Sequence, residues 1–174
     1  MPLTAEIPCS VEEYLRTSYD PDCDFVDGQI LERNVGKQRH SHAQGNAYWW
    51  FRIHAARGCR PYIEQRIRVS PTRFRIPDVL LMFAPPPDAD VFTTPPYLCL
   101  EVMSPDDTMS TLQDRIDDYL SIGVANIWVV DPWKLRAWTV TAQGWHSVTD
   151  GHLHTADGEL ALPVSELILT EDSY

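Results

Sequence analysis

Residues 74–107 read FRIPDVLLMFAPPPDADVFTTPPYLCLEVMSPDD. Two short apolar runs lie in this stretch, and each is interrupted by one carboxylate, Asp78 in RIPDVLLMF and Glu101 in YLCLEVMS. Runs so apolar are expected of central strands covered on both faces, and the Pro-rich APPPDADVFTTPP between them reads as a loop. A carboxylate buried alone costs several kcal/mol or is forced neutral, so a fold keeps one there only with a partner, a metal or a chemical task. Strand alternation sets Phe74, Ile76, Asp78 and Leu80 on one face, and Tyr97, Cys99, Glu101 and Met103 on one face. If the strands are neighbours, about 4.8 Å apart, both carboxylates reach one divalent cation at about 2.1 Å. Such a cation relieves their repulsion, acidifies a bound water and stabilises charge on a phosphoryl oxygen, which is the chemistry of phosphodiester hydrolysis. The structural alternative is that Asp78 closes a turn after Pro77 and Glu101 pairs with an arginine.

The flanking sequence supplies the rest of the fold. SVEEYL opens with Ser10 as an N-cap and Glu13 three residues on, a capping box that starts a short helix. CDFVDGQILERN alternates around Asp-Gly and reads as a strand pair. RHSHAQGNAYWWFRIHAAR carries Ala43, Ala47, Trp50 and Phe51 at helical spacing, ends at Gly58, and places Trp49 and Trp50 in the core. PYIEQRIRV alternates strictly, which predicts a single strand with Tyr62, Glu64, Arg66 and Arg68 on one face and Ile63, Gln65, Ile67 and Val69 on the other. An amphipathic helix over 111–122 precedes the buried strand NIWVVDP and a meander through LRAWTV, GWHSVT and GHLHTA. Strands divided by helices predict an α/β or α+β fold with a mixed sheet, most simply one domain over residues 1–174.

Composition narrows the function classes. No apolar run approaches the roughly 20 residues of a membrane span, and the N-terminus lacks a basic region followed by an apolar core, so a cytoplasmic, non-membrane protein is expected. The four cysteines have no C-x-x-C spacing and fit free thiols in a reducing compartment. His40 with His42, and His152 with His154, form H-x-H pairs without a recognisable third ligand, which argues against a zinc site. The net charge of −11 alone argues against a polyanion partner. Between Arg33 and Arg75, however, ten Lys/Arg face a single acid, Glu64, while the remaining sequence holds four basic and twenty-four acidic residues. That asymmetry points to a side that meets polyanions, or to a basic segment neutralised by acids elsewhere in the fold. Arg66 and Arg68 are the candidates for nucleic-acid contact.

IPDV followed by LEVMSPDD, and then DRIDDYLSIGVANIWVVDP, resembles a family of small restriction-endonuclease-like proteins (Uma2-type) within the PD-(D/E)XK nuclease superfamily. The resemblance extends to VEEYL, DFVDGQILERN, RHSHAQG and EQRIRVSPTRFRIPDV, and so covers most of the chain. It implies a restriction-endonuclease-like core, a central mixed β-sheet flanked by helices. It also implies Mg2+- or Mn2+-dependent cleavage of nucleic acid, DNA first among the candidates, with Asp78 and Glu101 as metal ligands. The superfamily lysine two residues after the second acid is Met103 here. Relatives resemble one another in carrying a lysine four residues before a Tyr on the next helix, and that position is Arg115 ahead of Tyr119. Arginine stays protonated in proteins, so Arg115 can stabilise phosphate charge or hold a water but cannot act as a base. Gln113 is the other polar candidate near the start of that helix. Glu64 is a candidate third acid, Asp24 matches a position where relatives often carry an acid, and His40 matches a favoured His. Two rival classes stay open: a catalytically inactive nucleic-acid-binding protein on the same fold, and a scaffold without polyanion affinity. A homodimer is compatible with an exposed sheet edge and with double-strand cutting.

Overall fold

The fold was analysed on a computed structural model, which describes residues 8–34 and 36–169. Its centre is a six-stranded sheet in the order β10-β9-β8-β7-β6-β3, built from β3 (Cys59–Ile63), β6 (Val79–Phe83), β7 (Leu98–Val102), β8 (Asn126–Asp131), β9 (Arg136–Thr141) and β10 (Gly144–Ser147). The β7–β8 pair is parallel and all its other pairs are antiparallel, so the sheet is mixed as expected. Every residue of β7 and β8 is buried, which explains why LCLEV and NIWVVD are apolar without interruption except at Glu101 and at the two ends of β8, Asn126 and Asp131.

Alternation along these strands assigns the two layers. Val79, Leu81, Leu98, Leu100, Val102, Trp128 and Val130 pack with Ala43, Ala47, Trp50 and Phe51 of α2 (Gln38–His54). On the opposite face, Leu80, Met82, Cys99, Ile127 and Val129 pack with Leu112, Ile116 and Tyr119 of α3 (Met109–Ser121). Glu101 has the parity of Cys99 and belongs to the α3 side, where Arg115 and Tyr119 reach it, whereas Asp78 directly precedes β6 and faces His40 of α2. Thr108 caps α3, its hydroxyl accepting from the Thr111 N–H, and this starts the helix two residues before the predicted 111.

A second, four-stranded sheet in the order β2-β1-β5-β4 contains β1 (Asp24–Val26), β2 (Gln29–Leu31), β4 (Ile67–Ser70) and β5 (Arg73–Arg75). Its Phe25 and Phe74 stack with Tyr14 of α1 (Val11–Arg16), whose N-cap is the predicted Ser10. β11 (His152–His154) and β12 (Ala161–Pro163) form a separate hairpin, closed by a 3-10 turn at Val164–Glu166.

Three expectations are corrected. The predicted strand PYIEQRIRV is two strands in two sheets, broken where Glu64 takes φ 51. Tyr62, Glu64, Arg66 and Arg68 therefore share no face. RIPDVLLMF divides likewise at Ile76–Asp78, between β5 and β6. Helix α2 stops at His54, ahead of Gly58, and Trp49 is 60% exposed whereas Trp50 is buried. Among the described residues no helix is long and apolar enough to cross a membrane, and the four cysteines are unpaired.

Candidate functional site

β6 and β7 run antiparallel with Val79 opposite Leu100. The register ends there, and Asp78, directly before β6, accepts from the Val102 N–H, which sets it beside Glu101 at the end of the strand pair. Both are buried, at 2% and 1% exposure. Each carboxylate oxygen meets a donor. Asp78 Oδ1 accepts from Arg33 at 2.6 Å, and Oδ2 accepts from the Val102 N–H at 2.7 Å and faces His40 Nε2 at 3.4 Å. Glu101 Oε2 accepts from Arg115 at 2.8 Å and Oε1 from the Tyr119 hydroxyl.

Local structure explains this convergence. Arg115 and Tyr119 are four apart on α3, hence on one helix face, and that face lies over β7. Arg115 also donates to Asp107 at 3.0 Å, and Asp107 accepts from Ser104 N–H and Asn34. His40 and Gln44, also four apart, reach the pair from α2, Gln44 donating to the Asp78 carbonyl and to Glu64. Glu64 sits at the rim, its side chain 43% exposed and 3.5 Å from Arg33.

The two acids differ in proton affinity. Burial pushes Glu101 up to about 7; Arg115 opposes this and neighbouring Asp78 adds to it. Asp78 feels the same burial, but His40, Arg33 and the Val102 N–H outweigh it and hold the carboxyl below its usual range. Burial works against protonation of His40, yet Asp78 raises its affinity for a proton overall. Its Nδ1 is buried without a partner.

Beyond the pair lies a cleft of about 520 Å³, lined among others by Asp24, Arg33, Arg73, Arg75, Asp107 and Arg115. Asp78 and Glu101 do not line it; Arg33 and Arg115 do, with side chains 11% and 17% exposed. The guanidiniums thus stand between cleft and carboxylates.

The remaining candidates are distributed as follows. Asp24 is buried one cluster away, accepting from Arg75 and from the Ile76 N–H. Gln113 is turned from the acids, donating to Asp117 and accepting from Trp145. Arg66 pairs with Asp22 and lies 4.5 Å over the Tyr14 ring. Arg68 is exposed, donates to the Ser70 and Pro71 carbonyls and lies 5.8 Å over Phe74. Met103 packs against the α3-side core. Sequence reasoning missed Arg33, Asp107 and Gln44 as site residues. Arg33 was visible only as the first member of the basic block, and Asp107 as the last residue of the SPDD turn.

The donor set can be tested against a divalent ion. Among the described residues no group of three or more His, Cys, Asp or Glu could hold a metal by protein ligands alone. Two carboxylates, with water and substrate oxygens completing the shell, are nevertheless how Mg2+ is commonly held. Asp78 and Glu101 supply the two carboxylates, with Asp107 and Glu64 near them and Arg33, Arg115 and His40 as the positive or protonatable groups around them. The residues present fit a hard, oxygen-loving ion.

An α+β fold with two acids abreast at the end of a mixed sheet defines a class of protein, and comparison with known proteins gives it a family. Residues 11–170 match the Uma2 family model, described as "Putative restriction endonuclease", and the chain belongs to that family. It is also similar to a solved structure from Anabaena variabilis described as "a putative nuclease belonging to DUF820", with a TM-score of 0.80 and 19% identity over 92% of this chain and 97% of that one. At that identity the likeness establishes the fold. No curated protein matches the chain.

Proposed function

We propose that this protein is a divalent-cation-dependent nuclease that hydrolyses phosphodiester bonds of nucleic acid, DNA first among the candidates. The observation that carries this reading is two buried carboxylates, Glu101 on β7 and Asp78 just before the neighbouring β6, directly behind a cleft lined with arginine. Asp78 and Glu101 would hold Mg2+ or Mn2+. When bound there, the ion supplies an acidified water and neutralises charge growing on the phosphoryl group. Arg115, anchored by Glu101 and Asp107, stays charged and presents donors to that phosphate from the cleft floor. Tyr119 fixes the Glu101 carboxylate from behind. Arg68, exposed, supports binding of the nucleic-acid backbone outside the cleft. The four unpaired cysteines support a reducing, cytoplasmic setting, and β3, which ends the six-stranded sheet, supports a homodimer.

Supercoiled DNA incubated with the protein and either Mn2+ or EDTA tests the reading. Nicking with Mn2+ and none with EDTA is the expected result.

A second reading has its own observation. Every oxygen of the acidic pair is already satisfied by a protein donor, as in a protein that binds nucleic acid without cutting it. Salt-dependent binding that is equal with EDTA and with Mn2+, and no nicking with either, would select that reading.

A further inference from the structure

Two arginines neutralise the acidic pair, and they are held very differently. Arg115 stands on helix α3 and bridges two carboxylates, Glu101 at 2.8 Å and Asp107 at 3.0 Å. Arg33 belongs to the irregular segment after β2, makes one short ion pair, to Asp78 at 2.6 Å, and one long one, to the half-exposed Glu64 at 3.5 Å. It spans the boundary between the carboxylates and the cleft. On Asp78 the Oδ2 oxygen is bound by the backbone N–H of Val102, which the strand fixes in place, so Oδ1 is the oxygen whose donor is able to leave.

We propose that the Arg33 guanidinium is the resting counter-ion of this site: it occupies the cation position at Asp78 until a divalent ion displaces it, and once displaced it faces the cleft as a phosphate ligand. The inference rests on the nuclease reading and adds an exchange to it. Charge favours the exchange. A divalent ion at Asp78 sets two positive charges where Arg33 sets one, and Arg33 moves from a monodentate contact to a phosphate, a group its planar fork matches. In the metal-free protein Arg33 is the short ion-pair partner of Asp78, which otherwise keeps the Val102 N–H and His40.

Titration calorimetry with MnCl2 alone tests this on the wild type, Arg33→Gln and the double variant Arg33→Gln/Asp78→Asn. Arg33→Gln should bind Mn2+ about tenfold more tightly than the wild type or better, the factor that corresponds to losing one competing charge-assisted hydrogen bond. The double variant should lose that binding. In EDTA the single variant should melt below the wild type, and its melting temperature should rise more on adding Mn2+. A measurement on the wild type covers the case in which Arg33→Gln does not fold. The Arg33 side-chain N–H resonance, assigned with Arg33→Lys, should shift and exchange faster with solvent on adding Mg2+, while that of Arg115 stays protected. Equal Mn2+ affinity in wild type and Arg33→Gln, or an Arg33 resonance indifferent to Mg2+, overturns the exchange and leaves the nuclease reading standing. Absence of divalent binding in all proteins overturns both.

Discussion

Two buried clusters of arginine and carboxylate lie beside one another, and they order the same side chains in opposite ways. In the first, Arg75 of β5 sits between two acids, Asp24 of β1 at 3.0 Å and Asp118 of α3 at 2.6 Å. The cation separates the anions, and the three residues tie the four-stranded sheet to the helix that covers the main sheet. In the second, Asp78 and Glu101 are side by side and their arginines stand outside them. Glu101 carries a raised proton affinity, chiefly from burial, to which neighbouring Asp78 adds. Burial pushes Asp24 up as well, so what separates the two clusters is where the arginine stands, between the acids in the first and outside them in the second.

Replacing Arg75 gives the largest expected effect. Arg75→Ala leaves Asp24 buried without its cation, while Asp118 keeps Arg73, and should cost about 3–5 kcal/mol by urea unfolding. Arg115→Ala should cost clearly less at pH 7, because Glu101 is able to take up a proton and become neutral. Equal losses would remove the contrast between the clusters.

Arg115 should instead show its effect in rate. Arg115→Ala is expected to slow nicking about 100-fold, the usual scale for one donor to a developing anion. Arg115→Lys should retain or raise the rate, since a compact ammonium also donates to phosphate. Unchanged cutting by Arg115→Ala would confine the residue to an ion-pair role.

The two acids should carry opposite signatures in the metal-free protein. Glu101 has a folded pKa of about 7 against an ordinary 4.5, so its contribution to stability is full below about 4.5 and is lost as pH rises to about 7. Asp78 lies below its ordinary 3.8, so its contribution is present above that value and is lost as pH falls beneath it. Thermal melts in EDTA should therefore decline for the wild type between pH 5 and 8 relative to Glu101→Gln. Parallel curves would contradict the burial argument. The smallest effect concerns the outer arginines: Arg68→Ala should lower the salt-dependence slope of DNA binding by about one, whereas Arg66→Ala, which loses Asp22 and the Tyr14 ring, should show itself mainly as about 1 kcal/mol of stability.

The site was partly legible in the sequence, and its missing parts have physical causes. Asp78 and Glu101 stand out because a carboxylate within an apolar run is expensive, while alternation grouped each only with residues of its own run. Arg115 was readable through the family resemblance, which marks the position four residues ahead of Tyr119. Arg33 was not, because its partner lies 45 residues away and the hairpin gives no hint of where its arginine will reach. The basic block bears out the second of its two readings, neutralisation within the fold: Arg33, Arg66, Arg73 and Arg75 each find an acid from another element, while Arg33, Arg73 and Arg75 also line the cleft. The split of PYIEQRIRV was hidden because its break uses a positive φ at Glu64 rather than at a glycine.

The central claim, that the acids placed abreast work while those held apart by Arg75 support the fold, is tested most directly by one pair of isosteric variants assayed together. Nicking of supercoiled DNA with Mn2+ should fall about 1000-fold or more in Asp78→Asn while the protein stays folded, a loss of several kcal/mol of transition-state stabilisation. Asp24→Asn should melt at lower temperature yet cut at a rate close to wild type below its melting transition. An Asp78→Asn protein that nicks DNA as fast as the wild type would contradict the account.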